Sequence, residues 1–564
     1  MNGKIGINQR MNKSNGRRQV KISSLGGFAQ VNRNMYCYEY GNDIVLVDCG
    51  IGFPTEEMLG VDLLIPDISY LKDKQQNIRG MVLTHGHEDH IGGLPYILPK
   101  LPNFPVYGAR LTNALAKEKL KEYNINRKLI EIDGDSEIRL GEFILRFARV
   151  SHSIPDTMHI MLETPVGTVY HGADYKFDFT PVDGIQPQLS AIAAEGDRGI
   201  KLLLSDCLGS ERRGATPSEI TLNKMFDREL ADCKGKFVVT TMSSSISRLQ
   251  QAIDASIRHG RKVVLSGRSL EKNVRVAMEL GYLNIDKEHI VDLKRSQRMK
   301  DHHLTYLVAG SQGQEGSALY RIAVGDHHHI SVKPGDKVLF STDYIPGSEL
   351  AIHQAIDNLY QRGVDVVYRE VADGLHVSGH GGQEDMKLLI NLTDPEYFYP
   401  IGGQYKHIEH YKKIVEKMGY AGDTVMIPGG RQVVMDEQGV RLGDMVSVRN
   451  VMVDGLGVGD VGNVVLRDRQ MLAEDGIVVA IIQIDSETKQ LVDEPDIISR
   501  GLVYTKSGDG LMPEAKKTLY KALDKQKSLK DWHLIKKIAT NQLQRFFMKK
   551  LERQPMILPV VMEV

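Results

Sequence analysis

An apolar segment, Ile78–Leu83, runs directly into Thr84-His85-Gly86-His87-Glu88-Asp89-His90-Ile91-Gly92-Gly93. A hydrophobic core has no use for three histidines and an aspartate so close together, because every buried ring nitrogen needs a partner. Neutral imidazoles and a carboxylate on a loop after a strand suit a borderline ion such as Zn²⁺. His85 and His87 are spaced for one ion, and Asp89 and His90 point to a second beside it. An exposed polar loop explains this segment alone. It does not explain the two ligand-type clusters that follow, Ser151-His152-Ser153-Ile154-Pro155-Asp156 and His171-Gly172-Ala173-Asp174.

Around that loop the chain repeats short apolar strands that end in polar residues. Ile44–Val47 runs into Asp48, Glu137–Val150 reads as two strands, Met158–Glu163 and Thr168–His171 form a hairpin, and Lys201–Ser205 ends at Asp206. Polar residues delivered to loops along one edge commonly assemble a hydrolytic site. From about residue 214 strands and helices alternate, which predicts a parallel sheet with covering helices. Thr216-Pro217-Ser218-Glu219 reads as a capping box opening a helix to about Cys233. Strands over Phe237–Thr241, Lys262–Leu265, Leu304–Val308, Val338–Phe340 and Val364–Tyr368 follow, with a helix over Glu349–Gln361. The C-terminal stretch holds a strand, Ile477–Ile484, and amphipathic helical patterns over Leu511–Leu523 and Trp532–Leu551.

At 564 residues the chain is too long for one core. With 71 basic and 72 acidic residues, its charge neither points to nucleic acid nor excludes it. Lys294-Arg295 with Arg298 and Lys300 reads as a solvated face, and His327-His328-His329 as a surface turn, since contiguous residues converge poorly on one ion. No apolar run is long enough for a membrane span, and residues 1–20 read as a flexible lead without a signal peptide. Cys37, Cys49, Cys207 and Cys233 form no CxxC pair and read as free thiols in a reducing, cytoplasmic compartment.

The HxHxDH loop followed by a lone His and a later Asp resembles the signature of the metallo-β-lactamase superfamily. The resemblance implies that His152 joins His85 and His87 at the first ion, that Asp174 bridges to a second held by Asp89 and His90, and that Asp48 orients the loop. It implies up to two Zn²⁺ per chain, with Mn²⁺ or Mg²⁺ as alternatives. Asp206 resembles the acidic motif before a β-CASP insertion, and His376-Val377-Ser378-Gly379-His380 the histidine motif after one. Met58-Leu59-Gly60-Val61-Asp62-Leu63-Leu64-Ile65-Pro66-Asp67, Gly310-Ser311-Gln312-Gly313, Ile345-Pro346-Gly347 and Pro555-Met556-Ile557-Leu558-Pro559 are similar to stretches of the ribonuclease J family.

The implied α/β architecture is a metallo-β-lactamase αββα sandwich (residues 21–213 and 375–460), an inserted β-CASP domain (214–374), and a linker with a small C-terminal α/β domain (461–564). The implied activity is metal-dependent hydrolysis of RNA phosphodiester bonds, by 5′–3′ exonuclease action with endonuclease action as a second mode, in RNA maturation and decay. The implied partner is single-stranded RNA, preferably 5′-monophosphorylated, bound by a homodimer or homotetramer. Asp89, Asp206 and His380 take catalytic roles, with His380 placed to protonate the leaving oxygen. Ser244, Ser245, His376, Val377, Ser378, Gly379 and His380 are the expected substrate contacts.

Two stretches depart from the family. Its usual Pro-Val-His-Gly-Glu is here Pro400-Ile401-Gly402-Gly403-Gln404, which puts Gly402 at the position of the last metal-ligating histidine. His407 and His410 follow on a helical pattern and do not inherit that role. The loop usually written Ala-Ser-Asn-Ile-His-Arg is Ser243-Ser244-Ser245-Ile246-Ser247-Arg248, and Gln314 stands where an acid is common. One alternative is therefore a weakened member that binds RNA as a subunit. Another is a small-ester metallo-hydrolase, against which the large insertion argues.

Overall fold

The computed structural model describes residues 18–345, 347–455, 457–502, 510–526 and 529–564. Most of the expected N-terminal lead, and Pro346 of the Ile345-Pro346-Gly347 motif, lie outside them.

Two sheets face each other. One has eight strands in the order Gly439–Met445, Arg431–Asp436, Gln19–Gly26, Met35–Tyr40, Asp43–Val47, Ile78–Leu83, Val106–Gly108 and Leu129–Glu131. The other has six, in the order Tyr397–Ile401, Leu202–Asp206, Gly167–Gly172, Thr157–Thr164, Phe143–Val150 and Glu137–Leu140. Their inner faces share a core that includes Val20, Val45, Val47, Phe143, Leu162, Leu202 and Leu204. Leu203, of opposite parity, enters a second core with Ile192, Met386, Leu389, Ile408 and Tyr411. These belong to helices Leu189–Arg198, Gln383–Thr393 and Tyr405–Lys417, so the strand is covered on both sides and reads as a continuous apolar run. Helix Arg110–Glu122 packs beside Val106–Gly108 and Leu129–Glu131. The result is the expected αββα sandwich.

This topology gathers the polar loops. Asp48, Thr84, Ser151, Asp206 and Gly402 lie at or just past the C-terminal ends of their strands. Parallel pairing sets Ser205 opposite both Gly172 and Pro400, and Asp206 opposite Ile401, which brings Asp174, Asp206 and Gly402 to one edge.

The insertion holds a five-stranded parallel sheet in the order Lys262–Ser266, Leu304–Val308, Phe237–Thr240, Lys337–Phe340 and Asp365–Val367. Helix Glu349–Gln361 stands where the periodicity predicts it. The capping box does not form as read. Ser218 caps a short 3-10 turn, Glu219–Thr221, and the helix proper is Leu222–Ala231. Thr216 is drawn into tertiary bonds instead: its amide donates to Asp385 at 2.8 Å and its hydroxyl to the His380 carbonyl at 2.8 Å.

Chain contacts divide the protein into one unit, ending at Phe53 and resuming over Leu64–Val451, and a second of Pro54–Leu63 with Met452–Val564. Pro54–Leu63 joins the second through Asp62 N donating to Val453 O at 2.9 Å and Arg469 Nη1 to Leu59 O at 2.8 Å. In this unit a three-stranded sheet, Asp496–Arg500, Ile477–Ile484 and Met556–Glu563, turns Val478, Ala480, Ile482 and Ile484 onto Leu519, Leu543 and Phe547 of helices Leu511–Asp524 and Trp532–Leu551.

Candidate metal centre

Asp48 leaves its strand with φ 61°, a left-handed backbone that costs a non-glycine residue about 1–2 kcal/mol. Its carboxylate offsets that strain. It accepts from Thr84 N at 2.7 Å and Thr84 Oγ1 at 2.8 Å, and lies 2.7 Å from His90 Nδ1. Both ends of the histidine loop are thereby pinned to one buried acid.

Each ring has one nitrogen engaged by the protein and leaves the other for a shared point. His85 Nδ1 lies 3.0 Å from Thr84 Oγ1, His152 Nδ1 donates to Gly379 O at 2.7 Å, and His87 Nε2 is 3.2 Å from Ser153 Oγ. The remaining nitrogens converge: His87 Nδ1 is 3.1 Å from both His85 Nε2 and His152 Nε2. Asp174 Oδ2 stands 3.7 Å from His85 Nε2, 3.8 Å from His152 Nε2 and 3.3 Å from His90 Nε2. His90 Nε2 is in turn 3.7 Å from Asp89 Oδ2. The donors thus form two groups that share Asp174: His85, His87 and His152 in one, Asp89 and His90 in the other. Separations of about 3–4 Å are what ligand atoms about 2 Å from a common ion require.

The electrostatics agree with the geometry. Burial holds His85 and His152 well below the usual histidine range and His87 down to about 3, which keeps these rings in the neutral, ligating form. Burial acts the same way on His90, but Asp174, Asp89 and Asp48 outweigh it and raise the ring well above its ordinary value. Burial lifts Asp89 to about 6. Buried carboxylates gathered in this way call for a compensating cation. The donor set fits a divalent metal.

A third group adjoins these two. His380 Nδ1 lies 2.7 Å from Asp206 Oδ2, and His380 Nε2 3.9 Å from Asp174 Oδ2. Burial opposes a proton on His380, but Asp206 and Asp174 prevail and raise it to about 9. The turn before it packs tightly: a β-carbon on Gly379 would stand 2.7 Å from His152 Cε1. Gly402 has φ 68°, and a β-carbon there would lie 3.3 Å from Asp206 Oδ1 and 3.7 Å from Asp174 Oδ1. His407 and His410 face Glu211 instead, at 3.1 and 3.9 Å, outside the ligand groups.

Four family models cover most of the chain. Residues 29–190 match the metallo-beta-lactamase superfamily, 234–359 the ribonuclease J beta-CASP domain, 363–428 the Zn-dependent metallo-hydrolase RNA specificity domain and 464–564 the ribonuclease J C-terminal domain. The chain is 38% identical over 550 residues to ribonuclease J2 of Bacillus subtilis, covering 97% of this chain and 99% of that one. It is 39% identical over 557 residues to ribonuclease J of Thermus thermophilus, covering 96% and 95%. The chain belongs to the ribonuclease J family. As a ribonuclease J it is a metal-dependent ribonuclease, and its metallo-hydrolase domains imply a metal cofactor. Among the described residues, no helix is long and apolar enough to cross a membrane.

Within this ribonuclease J fold, His85, His87, Asp89, His90, His152 and Asp174 meet at one place with Asp48, Asp206 and His380 around them. Ser378 and Gly379 join through His380 and His152: Ser378 Oγ accepts from His380 N at 3.1 Å. Ser244 and Ser245 sit at the start of helix Ile246–Arg258, and the side chains of Ser245 and Val377 are buried. His376 lies against Arg248 Nη1 at 2.6 Å. His171 is a packing residue, its Nδ1 2.6 Å from Tyr38 Oη. His327 lies 3.1 Å from Ser266 Oγ, and among the described residues none of His327, His328 and His329 enters a ligand group. The sequence pattern gave no role to Thr84, Arg212 or Arg248, and read Thr216 only as a helix cap. A signal existed for Arg248, an arginine on a helix face that otherwise buries Ile246, Leu249, Ala252 and Ile253.

Proposed function

We propose that this ribonuclease J hydrolyses single-stranded RNA by 5′–3′ exonuclease action, with endonuclease action as a second mode, in cytoplasmic RNA maturation and decay. We further propose a homodimer or homotetramer, with domain bounds of 21–213 and 375–460, 214–374, and 461–564. The observation that carries the reading is the convergence of two ligand groups on Asp174 beside His380, whose Nδ1 lies 2.7 Å from Asp206 Oδ2.

His85, His87, His152 and Asp174 would hold one ion, and Asp89, His90 and Asp174 a second. Zn²⁺ suits the imidazole-rich group, while Mn²⁺ or Mg²⁺ compete at the oxygen-richer one. Bound there, such ions supply Lewis acidity and lower the pKa of water. The protein contributes orientation and protons. Asp48 and the Gly379 carbonyl hold His90 and His152 by Nδ1, turning each Nε2 toward Asp174, with Asn34 Nδ2 also 3.2 Å from His90 Nε2. Asp89 serves as ligand and proton acceptor. Asp206 holds His380 by Nδ1, and the Nε2 proton goes to the leaving oxygen. Ser378 and the amides of its turn offer hydrogen bonds to phosphate, with His376, Val377, Gly379, Ser244 and Ser245 completing the substrate contacts.

The test is degradation of a 5′-monophosphorylated single-stranded RNA by the full-length protein, with bound metal measured in parallel. Metal-dependent release of nucleotides from the 5′ end supports the reading. Intact RNA at saturating metal overturns it. Gly402 favours a second reading, a weakened member acting as an RNA-binding subunit, and RNA retention without cleavage in the same experiment would establish it. Small-ester hydrolysis finds no support in a chain with a β-CASP insertion.

A further inference from the structure

Arg248 is 1% exposed. Burying a guanidinium is costly unless the charge is paired and its five N–H groups are all used. Here they are. Nε donates to Glu219 Oε1 at 2.8 Å, and Nη2 to the same oxygen and to Val377 O at 2.8 Å. Nη1 donates to Ser341 O at 3.1 Å and to His376 Nδ1 at 2.6 Å. Burial and the Arg248 charge hold His376 well below the usual histidine range, so its Nδ1 is free to accept.

Two of these bonds land on His376 and Val377, the residues that lead into Ser378-Gly379-His380. The far end of the turn is fixed separately, by Gly381 N donating to Tyr175 O at 2.6 Å and by Arg212 and Thr216 on the His380 carbonyl. Behind Arg248, Glu219 Oε2 lies 3.6 Å from Lys176 Nζ, and Lys176 N donates to Ser151 O at 2.8 Å, next to His152. A buried chain of ion pairs and hydrogen bonds therefore runs from the insertion helix to both sides of the candidate site.

We propose that Arg248 is a positioning residue that ties the insertion helix to the His376–His380 turn and so sets where His380 stands. This rests on the reading of His380 as proton donor. Lysine cannot replace the arginine in full, because a single ammonium has three donors and no planar fork.

The test uses full-length Arg248→Met, Arg248→Lys and His380→Ala proteins, with bound metal, kcat and KM on 5′-monophosphorylated RNA, and amide hydrogen exchange. Arg248→Met should keep its metal and lose kcat by up to about 10²-fold, with KM little changed, the scale of a displaced catalytic group. Exchange should rise over residues 374–383 and not in strands Phe237–Thr240 and Leu304–Val308. Arg248→Lys should move the same way by less, and carries the test alone if Arg248→Met does not fold. Unchanged exchange over 374–383, or a rise spread evenly through the insertion sheet, overturns the proposal. If His380→Ala keeps wild-type turnover, the proton-donor reading fails by itself, and exchange over 374–383 decides the tie to Arg248.

Discussion

His152 donates its Nδ1 proton to the carbonyl of Gly379 across 2.7 Å, so a ligand of the first metal group and the turn carrying His380 are one hydrogen bond apart. That bond fixes the tautomer of His152, and the turn comes close enough to make it only because residue 379 has no side chain. Gly379→Ala places a β-carbon 2.7 Å from His152 Cε1, so the ring or the turn must shift. Expected losses are about 10–100-fold in metal affinity, typical of disturbed ligand support, together with lower turnover. Metal titration of the purified variant checks this. Wild-type affinity would show that the turn can move without disturbing His152.

His87→Ala removes the nitrogen that lies 3.1 Å from both neighbouring ligands. The first ion should be lost with nearly all activity. Metal analysis and an RNA degradation assay read both. A variant retaining bound zinc and full turnover would show that the site is misassigned.

His380→Ala should keep its metal, because His380 is bonded to Asp206 and stands outside both groups centred on the HxHxDH loop. Turnover should fall by roughly 10²–10⁴-fold, the usual worth of general acid catalysis. Loss of an ion instead would make His380 a ligand.

How legible this site is in sequence depends on how local its logic is. The HxHxDH loop is readable because ligand chemistry demands particular residue types at short spacing on one loop. Asp206 and Gly402 are readable only through family resemblance, since nothing near them says that parallel pairing will set them beside Asp174. Thr216 is misread as a helix cap because tertiary bonds to Asp385 and His380 outweigh the local capping pattern. Arg248 shows locally only as an arginine on an apolar helix face, because its four partners, Glu219, Ser341, His376 and Val377, are distant in sequence. The strand and helix pattern is largely recoverable, because period-two and period-3.6 burial both mark the cores. The grouping of Pro54–Leu63 with the C-terminal unit is not, since Leu59 meets Arg469 across 410 positions of sequence.

Substrates with 5′-monophosphate ends should be degraded faster than those with 5′-triphosphate ends. The Ser378-Gly379-His380 turn is compact, with Gly379 against His152 and Ser378 Oγ already accepting from His380 N, which suits one phosphate better than three. Rates on the two RNAs at matched length measure it. Equal rates would remove the phosphate-reading pocket.

The second ion should bind more weakly than the first. Three imidazoles and Asp174 surround the first position, whereas the second has Asp89, His90 and the shared Asp174. Gly402 stands next to that acid, its missing β-carbon 3.7 Å from Asp174 Oδ1, and offers no side chain. Water can complete the coordination, but it brings neither charge nor a covalent tether. Activity should therefore keep rising with added Mn²⁺ or Mg²⁺ well after the first equivalent is bound. Gly402→His should tighten the second site, yet at a cost, because φ 68° suits glycine and the new β-carbon would sit 3.3 Å from Asp206 Oδ1. The backbone strain alone is about 1–2 kcal/mol, so the variant should bind its second ion more tightly while unfolding at lower denaturant. Chelator competition and denaturant titration separate the two effects. Two equally tight ions in the wild type, with no tightening in Gly402→His, would mean that another residue has taken the missing histidine's place.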